Sequence, residues 1–250
     1  MNLKRAFGLI IFICPQLLFS QTAPSYSIYT TNSITLRSDV NSKSALLTNI
    51  STSLVGDHSP VLGVAAWQDS GKQFECRSII EFDLRELPNF IKQVPDRVEN
   101  AELILYPKPG EEKNTDPCTL FIHRVWEPWT DSLTTWDQKP IVNSADRVKV
   151  KIDPDRKRAV RIDVTKMVIS MLKFGNYGFM FSRQDPIAPA DKGDWFASAK
   201  NNDKKARPVL IVSYTGIIQE NNNNNLRTES RQHQRQNPPA TPTPPRTGGN

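Results

Sequence analysis

The residues best placed for binding chemistry are three tryptophans in one short segment, RVWEPWTDSLTTWDQKP, which covers residues 124–140. Trp126, Trp129 and Trp136 each offer a broad apolar ring and one N–H donor. A pyranose ring also has an apolar face, so exposed indoles could form a platform on which a sugar stacks. Buried indoles could instead lock a loop onto a β-protein, with each N–H donating to a loop carbonyl.

Two other tryptophans stand among polar residues that suit a polysaccharide groove. Trp67 lies in GVAAWQDSGKQ and Trp195 in ADKGDWFASAK. Nearby amides could bond sugar hydroxyls, while Arg77, Lys192 and Lys200 could pair with uronate carboxylates. We therefore predict Trp67, Trp195, Lys192 and Arg77 as ligand-binding residues. The alternative is that each aromatic closes an end of the fold and that the basic residues are simply solvated.

Loop aspartates could hold a calcium ion, because Ca²⁺ prefers oxygen ligands. Asp191 and Asp194 are the predicted ligands, with Asp69 and Asp185 as further candidates. The spacing matches no EF-hand, and without an ion these residues act as turn formers. The sequence predicts no other cofactor.

Catalytic groups are sparse. The chain shows no glutamate pair, nucleophile elbow or metal triad in a convincing context, so we predict a protein that is not an enzyme. A polysaccharide lyase is an alternative, since FIHRV offers His123 and LKFGNYGF offers Tyr177. That alternative requires His123 and Tyr177 to share a cleft.

The first twenty residues have the pattern of a secretory signal peptide. Lys4 and Arg5 precede a mostly apolar run over 6–19, and Ser20 is a small residue suited to cleavage. We predict residues 1–20 as the signal and a mature protein that is secreted, extracellular or periplasmic. The sequence shows no later membrane span.

Export affects the interpretation of the cysteines. Cys76 and Cys118 both begin apparent strands and would remain after cleavage, so a disulfide between them is one prediction. Two buried free thiols are the alternative, since cysteine also behaves as a small apolar residue.

Net charge argues against nucleic acid as a partner. The chain carries a formal net charge of +6. The N-terminal segment contributes a net charge of +2, and residues 217–250 contribute another +2. The body is near neutral, whereas nucleic-acid binding needs a concentrated basic face. Residues 217–250 are rich in Asn, Gln and Pro with few apolar side chains, which predicts a disordered tail.

Between these ends, residues 21–216 predict one mainly-β domain. SIIEFDL alternates Ser78, Ile80 and Phe82 with Ile79 and Glu81, and similar short strands recur between Pro- and Gly-bearing turns. The pattern indicates a jelly-roll-like β-sandwich. One short helix is predicted in VTKMVISMLKF, capped by Asp163 or Thr165 and ended by Gly175, because its apolar residues form a single stripe: Val164, Val168, Met171 and Leu172.

Five blocks in this order resemble the DNRLRE-type domain, a secreted β-sandwich family often treated as a carbohydrate-binding module. The blocks are RSIIEFDLRELP, VENAELILY, WTDSLTTWDQKP, VRIDVTKMV and GFMFSRQ with RPVLIVSY. Trp129, Thr135, Trp136 and Pro140 match the family's signature. Asp131 stands where the family usually has Glu, and Thr134 stands where an apolar residue is usual.

The resemblance separates the tryptophans. A signature shared by domains with diverse partners implies that Trp129 and Trp136 serve the fold, whereas Trp126 lies outside it and is the stronger sugar platform. We expect a secreted, non-catalytic, monomeric module that binds an extracellular, acidic polysaccharide. A surface structural or adhesion module with a protein partner is the alternative from another class; a flat apolar patch would favour it.

Overall fold

The computed structural model describes residues 28–38, 41–108, 118–152, 158–183 and 192–218. Within it, Tyr29–Ile218 forms a compact unit. The predicted signal peptide, the predicted tail beyond residue 218, and Asp185 and Asp191 lie outside the described residues, as do the side chains of Cys118 and Lys192.

The described chain forms eleven strands and two α-helices. They are β1 (Ile28–Arg37), β2 (Lys43–Thr48), β3 (Val61–Asp69), β4 (Lys72–Glu81), α1 (Asn89–Gln93), β5 (Val98–Leu105), β6 (Cys118–Val125), β7 (Val142–Ile152), β8 (Val160–Asp163), α2 (Thr165–Phe174), β9 (Phe179–Arg183), β10 (Lys192–Ala197) and β11 (Val209–Ile218). None of the helices in the described ranges is long and apolar enough to cross a membrane.

The strands form two sheets packed face to face. The smaller sheet has the order β1-β11-β5-β8, and the larger has the order β10-β3-β4-β9-β6-β7, with β2 also pairing with β4. Side chains of both sheets meet in one hydrophobic cluster between them. The predicted mainly-β sandwich is therefore confirmed.

The alternation predicted for β4 and β5 accounts for this inner core. Ile80 on β4 and Phe82 directly after it share the inner cluster with Leu103 and Leu105 of β5, and each is at most 1% exposed. Burying one such side chain stabilises the fold by about 1.5–3 kcal/mol. The core thus fixes which face of each strand is turned outward.

Helix α2 matches the predicted helix. The Asp163 carboxylate accepts hydrogen bonds from the Thr165 hydroxyl and, at 2.9 Å, from the Thr165 amide, and both bonds lower the pKa of Asp163. Val168 and Met171 are buried. Gly175 ends the helix with a φ of 109°, a conformation that glycine adopts without strain.

The prediction of a single helix is wrong, because α1 forms a second one. The sequence LPNF at its start is typical of a turn, and the helix spans only five residues. Ile91 is its one buried residue, while Phe90 meets Tyr214 edge-on at 5.7 Å. One buried position is too few to produce a helical period in the sequence.

A second hydrophobic cluster lies on the other side of the larger sheet. Its buried members are Ala45, Leu47, Ile79, Val125, Trp129 and Met180. We call this side of the larger sheet, turned away from the smaller sheet, the outer face. The segment over residues 126–141, called here the Trp loop, covers part of it.

Candidate carbohydrate-binding face

Trp129 anchors the Trp loop to the outer face. It is 6% exposed, and its indole N–H donates to the Tyr177 carbonyl at 2.9 Å. The Lys43 ammonium donates to the Trp129 carbonyl at 2.6 Å and lies 4.7 Å from the centre of its ring. Both the ring and its one polar atom are therefore committed to the fold.

Trp136 is half-buried against the same cluster. Its ring lies 5.2 Å from the Arg77 guanidinium and 4.7 Å from the Lys139 ammonium. The Thr135 hydroxyl accepts a hydrogen bond from the Gln138 amide at 3.2 Å, and the Thr134 hydroxyl donates to the Thr130 carbonyl. These contacts hold the second half of the loop on the sheet.

Trp126 differs from both, because 54% of its surface is exposed. Its amide donates to the Ile141 carbonyl at 3.0 Å, which fixes the backbone beneath the ring. The Arg124 guanidinium lies 5.3 Å from the ring centre and is itself held by Asp146 at 2.7 Å. The result is an open aromatic surface on a fixed support, as sugar stacking requires.

Strand register determines what lies beside the Trp loop. Ile79 pairs with Met180, Met180 with His123, and His123 with Arg147, so these residues cross the outer face in one row. The loop's cluster covers the first two. We call the area over Ala45, Leu47, Ile79, Val125 and Met180 the covered half of the outer face.

The remainder, called here the open half, consists of Phe121, His123, Ser182, Arg147, Lys149 and Lys151. Phe121 pairs with both Ser182 and Lys149, which places these three in the neighbouring row. Arg147, Lys149 and Lys151 alternate along β7 and are exposed. We call these three residues the β7 cation row; among the described residues no carboxylate forms a salt bridge with them.

His123 lies beneath these cations, with 8% of its surface exposed. Its Nε2 atom shares a hydrogen bond of 3.0 Å with the Ser182 hydroxyl. Burial lowers the pKa of His123, and the positive charges of Arg147 and Arg77 lower it further, against an opposing contribution from the Asn143 backbone. His123 is therefore neutral near pH 7, and the fixed charges around it are positive.

Arg77 lies on the outer face but is already engaged. Its guanidinium bonds both oxygens of Glu75, at 2.7 and 3.1 Å, and only 28% of its side chain is exposed. It also packs on Trp136. Arg77 can contribute charge to the face while its direct contact with a ligand is limited.

Trp67 and Trp195 lie elsewhere. Trp67 stacks on Phe74 across the β3–β4 hairpin, with ring centres 5.5 Å apart. Trp195 lies on β10 over Gly63, where an added Cβ would come within 2.3 Å of its ring. β10 is the edge strand of the larger sheet opposite β7, and β3 is next to it, so the structure does not bring the predicted ligand residues into one groove.

The calcium prediction rests on residues that the structure describes only in part. Asp194 is fully buried on β10 opposite Val64, and Asp191 lies outside the described residues. Within the described ranges no group of three His, Cys, Asp or Glu side chains could hold a metal ion. Lys192 begins β10, so its backbone is also at the far edge from the open half.

The predicted disulfide is corrected by the structure. Cys76 is a buried free cysteine, and burial raises the pKa of its thiol. It lies on β4, and Cys118 lies on β6, with β9 between them. Two strand spacings amount to about 9.5 Å, beyond the Cα separation that a disulfide spans.

The two residues of the lyase alternative have different neighbours. His123 pairs with Ser182, whereas the Tyr177 ring packs over Gly175 at the end of α2 and joins the covered cluster. Tyr177 precedes Met180, the strand partner of His123, by three residues. The described geometry therefore does not direct both groups at one point.

A cavity of about 500 Å³ lies beside α2 and the start of the segment after β4. Its polar groups largely bind one another: Asp83 holds Arg85 at 2.7 Å, and Lys92 donates to the Arg85 carbonyl. Asn176 donates to the Phe82 carbonyl. These bonds identify the cavity lining as a structural network.

Sequence reasoning missed the β7 cation row and Phe121. The signal was present in RVKVKI, where basic and apolar residues alternate strictly. The pattern predicts only a strand, because alternation indicates a half-buried strand without indicating what lies beside it. The register with β6 supplies the missing information, since it sets Phe121 and His123 next to these cations.

The structure thus combines a β-sandwich with an exposed aromatic, Trp126, and an exposed row of cations on β7, which makes it a candidate ligand-binding domain. Residues 62–214 match the model of carbohydrate-binding module family 96, more than half of the chain. The protein belongs to that family, which confirms the resemblance to a carbohydrate-binding-module-like β-sandwich. A comparison with curated proteins found no significant match.

Proposed function

We propose that this protein is a secreted, non-catalytic module that binds an extracellular acidic polysaccharide. The single observation that carries the proposal is the family match over residues 62–214, which makes carbohydrate the ligand class. The acidic character is inferred from the open half of the outer face, where three exposed cations lie on β7; the exposed Trp126 follows β6, the strand that pairs with β7. We propose a monomer in solution.

Binding would combine stacking with hydrogen bonds and charge pairing, and no covalent step. Trp126 presents a flat apolar surface to a sugar ring, and its backbone is fixed before the ligand arrives. Preorganisation of this kind raises affinity, because fewer side chains must be ordered on binding. The cations of β7 would then attract the charged groups of the polymer.

The test is a binding panel with the purified full chain. Alginate, polygalacturonate, chondroitin, xylan, cellulose and mannan are compared by affinity electrophoresis, with calcium and with chelator. We expect retention by acidic polymers and no new absorbance at about 235 nm, where the unsaturated products of a lyase absorb. Growth of that absorbance would replace the binding module with an enzyme, and retention by none would favour the protein-adhesion alternative.

Melting curves recorded with calcium and with chelator test the calcium ion proposed at Asp191 and Asp194. If the ion stabilises the loop before β10, chelator lowers the melting temperature and calcium restores it. An unchanged melting temperature would leave Asp191 and Asp194 with the roles of turn former and buried polar residue.

A further inference from the structure

The open half of the outer face has a composition that favours a row of negative charges. Arg147, Lys149 and Lys151 lie two residues apart on β7 and share one side of the strand. Alternate residues of a strand are about 6.8 Å apart, so the row covers about 14 Å. That length suits several consecutive anionic groups of a short oligosaccharide better than a single ion.

Among the residues that the structure describes, the neighbouring carboxylates do not neutralise this row. Glu75 accepts hydrogen bonds from two nitrogens of Arg77, Nε and Nη2, and Asp146 accepts one from Arg124. Each of these carboxylates is therefore compensated by a cation outside the β7 cation row. Counted over the described residues, the open half has a net positive charge, and its field extends over the floor formed by His123 and Ser182.

One of these cations is positioned by packing. The Arg147 guanidinium lies 4.2 Å from the centre of the Phe121 ring, and His123 meets the same ring edge-on at 5.9 Å. A stacked guanidinium keeps its N–H donors free while its plane is held, so less entropy is lost when it bonds an anion. Lys149, opposite Phe121, adds a second charge beside it.

Edge protection is the competing explanation, since lysines on an edge strand discourage pairing with another sheet. It accounts for exposed Lys149 and Lys151. Edge protection does not explain why the Phe121 ring holds the Arg147 guanidinium in place. It also does not explain the buried hydrogen bond between His123 and Ser182, which lies between Arg147 and Arg77.

We propose that the open half is the subsite that recognises the charge of the polymer, while Trp126 recognises the sugar ring irrespective of charge. This inference rests on the proposed function. The ligand is a polysaccharide with anionic groups at regular intervals, carboxylate or sulfate, and the β7 cation row pairs with successive groups.

The test compares polymers that differ only in charge. Polygalacturonate is set against its methyl ester, and dextran sulfate against dextran, with dissociation constants measured by calorimetry on the full chain. Three exposed ion pairs together amount to about tenfold in affinity. We expect the charged polymer of at least one pair to bind about tenfold tighter than its neutral partner, and the pair that responds identifies carboxylate or sulfate.

The decisive variant is Arg147→Gln/Lys149→Gln/Lys151→Gln. It should lose that difference of about tenfold and leave binding to the neutral partner within about twofold. The matched control, Lys166→Gln/Lys204→Gln/Lys205→Gln, removes three exposed charges from α2 and from the turn before β11 and should behave as wild type. Melting curves verify that both variants fold.

Each outcome decides the matter. Equal affinity for charged and neutral polymers would show that the open half does not recognise charge, and so would a triple variant that binds like the control. In both cases the proposed carbohydrate-binding function would remain. Trp126→Ala should weaken charged and neutral polymers alike, which separates the two roles. Retention by no polymer overturns the proposed function and this inference together.

Discussion

The covered and open halves of the outer face belong to the same sheet and the same strands, yet they differ in what lies above them. In the covered half, the Trp loop seals Ile79 and Met180, so both residues are at most 1% exposed. In the open half, Arg147 and Lys149 on β7 remain exposed. Strand alternation therefore determines on which side of the sheet a residue lies. The Trp loop then determines whether that residue is buried in the hydrophobic cluster or remains exposed to a ligand.

The same contrast occurs within the loop, between two tryptophans three residues apart. Trp129 is 6% exposed with its N–H bonded to Tyr177, whereas Trp126 is 54% exposed beside Arg124. Residue type is identical, so burial alone separates a structural tryptophan from a candidate platform. Substitutions at the two positions can therefore test the comparison directly.

The largest expected effect is on stability. Trp129→Ala removes a buried ring and leaves a cavity under the loop, which costs about 3–5 kcal/mol in the free energy of unfolding. Urea titration measures it. Trp126→Ala is the matched control and should change that free energy by about 0.5 kcal/mol or less. An equal decrease in the free energy of unfolding for the two variants would contradict the assignment of Trp129 to the core and Trp126 to the surface.

Polymer binding should show the reverse order. Trp126→Ala removes the exposed platform and should weaken binding to the polymer identified by the panel by about tenfold, as truncation of an aromatic anchor does. Lys166→Gln on α2 should have no effect in the same assay. If Trp126→Ala binds as well as wild type, the platform lies elsewhere, and Trp67 on the β3–β4 hairpin is the next candidate.

A smaller effect concerns pH. The pKa of His123 is lowered in the folded protein, so below about pH 6.5 the unfolded state binds a proton more readily than the folded state. His123 therefore makes the free energy of unfolding decrease as pH falls through that value. His123→Gln should lose less free energy between about pH 7.5 and about pH 5.5, measured by urea titration. An equal loss in both proteins would show that His123 does not contribute.

The smallest expected effect is the response to reductant. Because Cys76 is a buried free thiol, dithiothreitol should leave the melting temperature unchanged. A structural disulfide would contribute about 2–5 kcal/mol, so its reduction would be obvious. A clear drop in melting temperature would restore the bond to Cys118 that the sequence suggested.

Sequence patterns predicted the strands and helix α2 better than they predicted which residues pack against them. Alternation correctly placed Ile80 and Phe82 on one face, which lies in the inner core, and the apolar stripe correctly located α2. It could not show that Ile79, on the opposite side, would be equally buried. That burial depends on a loop 50 residues away, which no local pattern reports.

The candidate site was predictable only in part. Exposure supports Trp126, but Arg77 is bound to Glu75, and Trp195 packs over Gly63. Composition cannot distinguish a free cation from a paired one. The partners of the β7 cation row are set by the register between β6 and β7, which requires the folded sheet.

Hydrogen–deuterium exchange with and without the bound polymer tests the central claim most directly. If the open half and Trp126 form the binding face, polymer should slow amide exchange in peptides from β6, β7 and residues 126–128. Peptides from the β3–β4 hairpin and from β5 should be unaffected. Protection of the hairpin or of β5, with β6 and β7 unchanged, would contradict the account and assign binding to another surface.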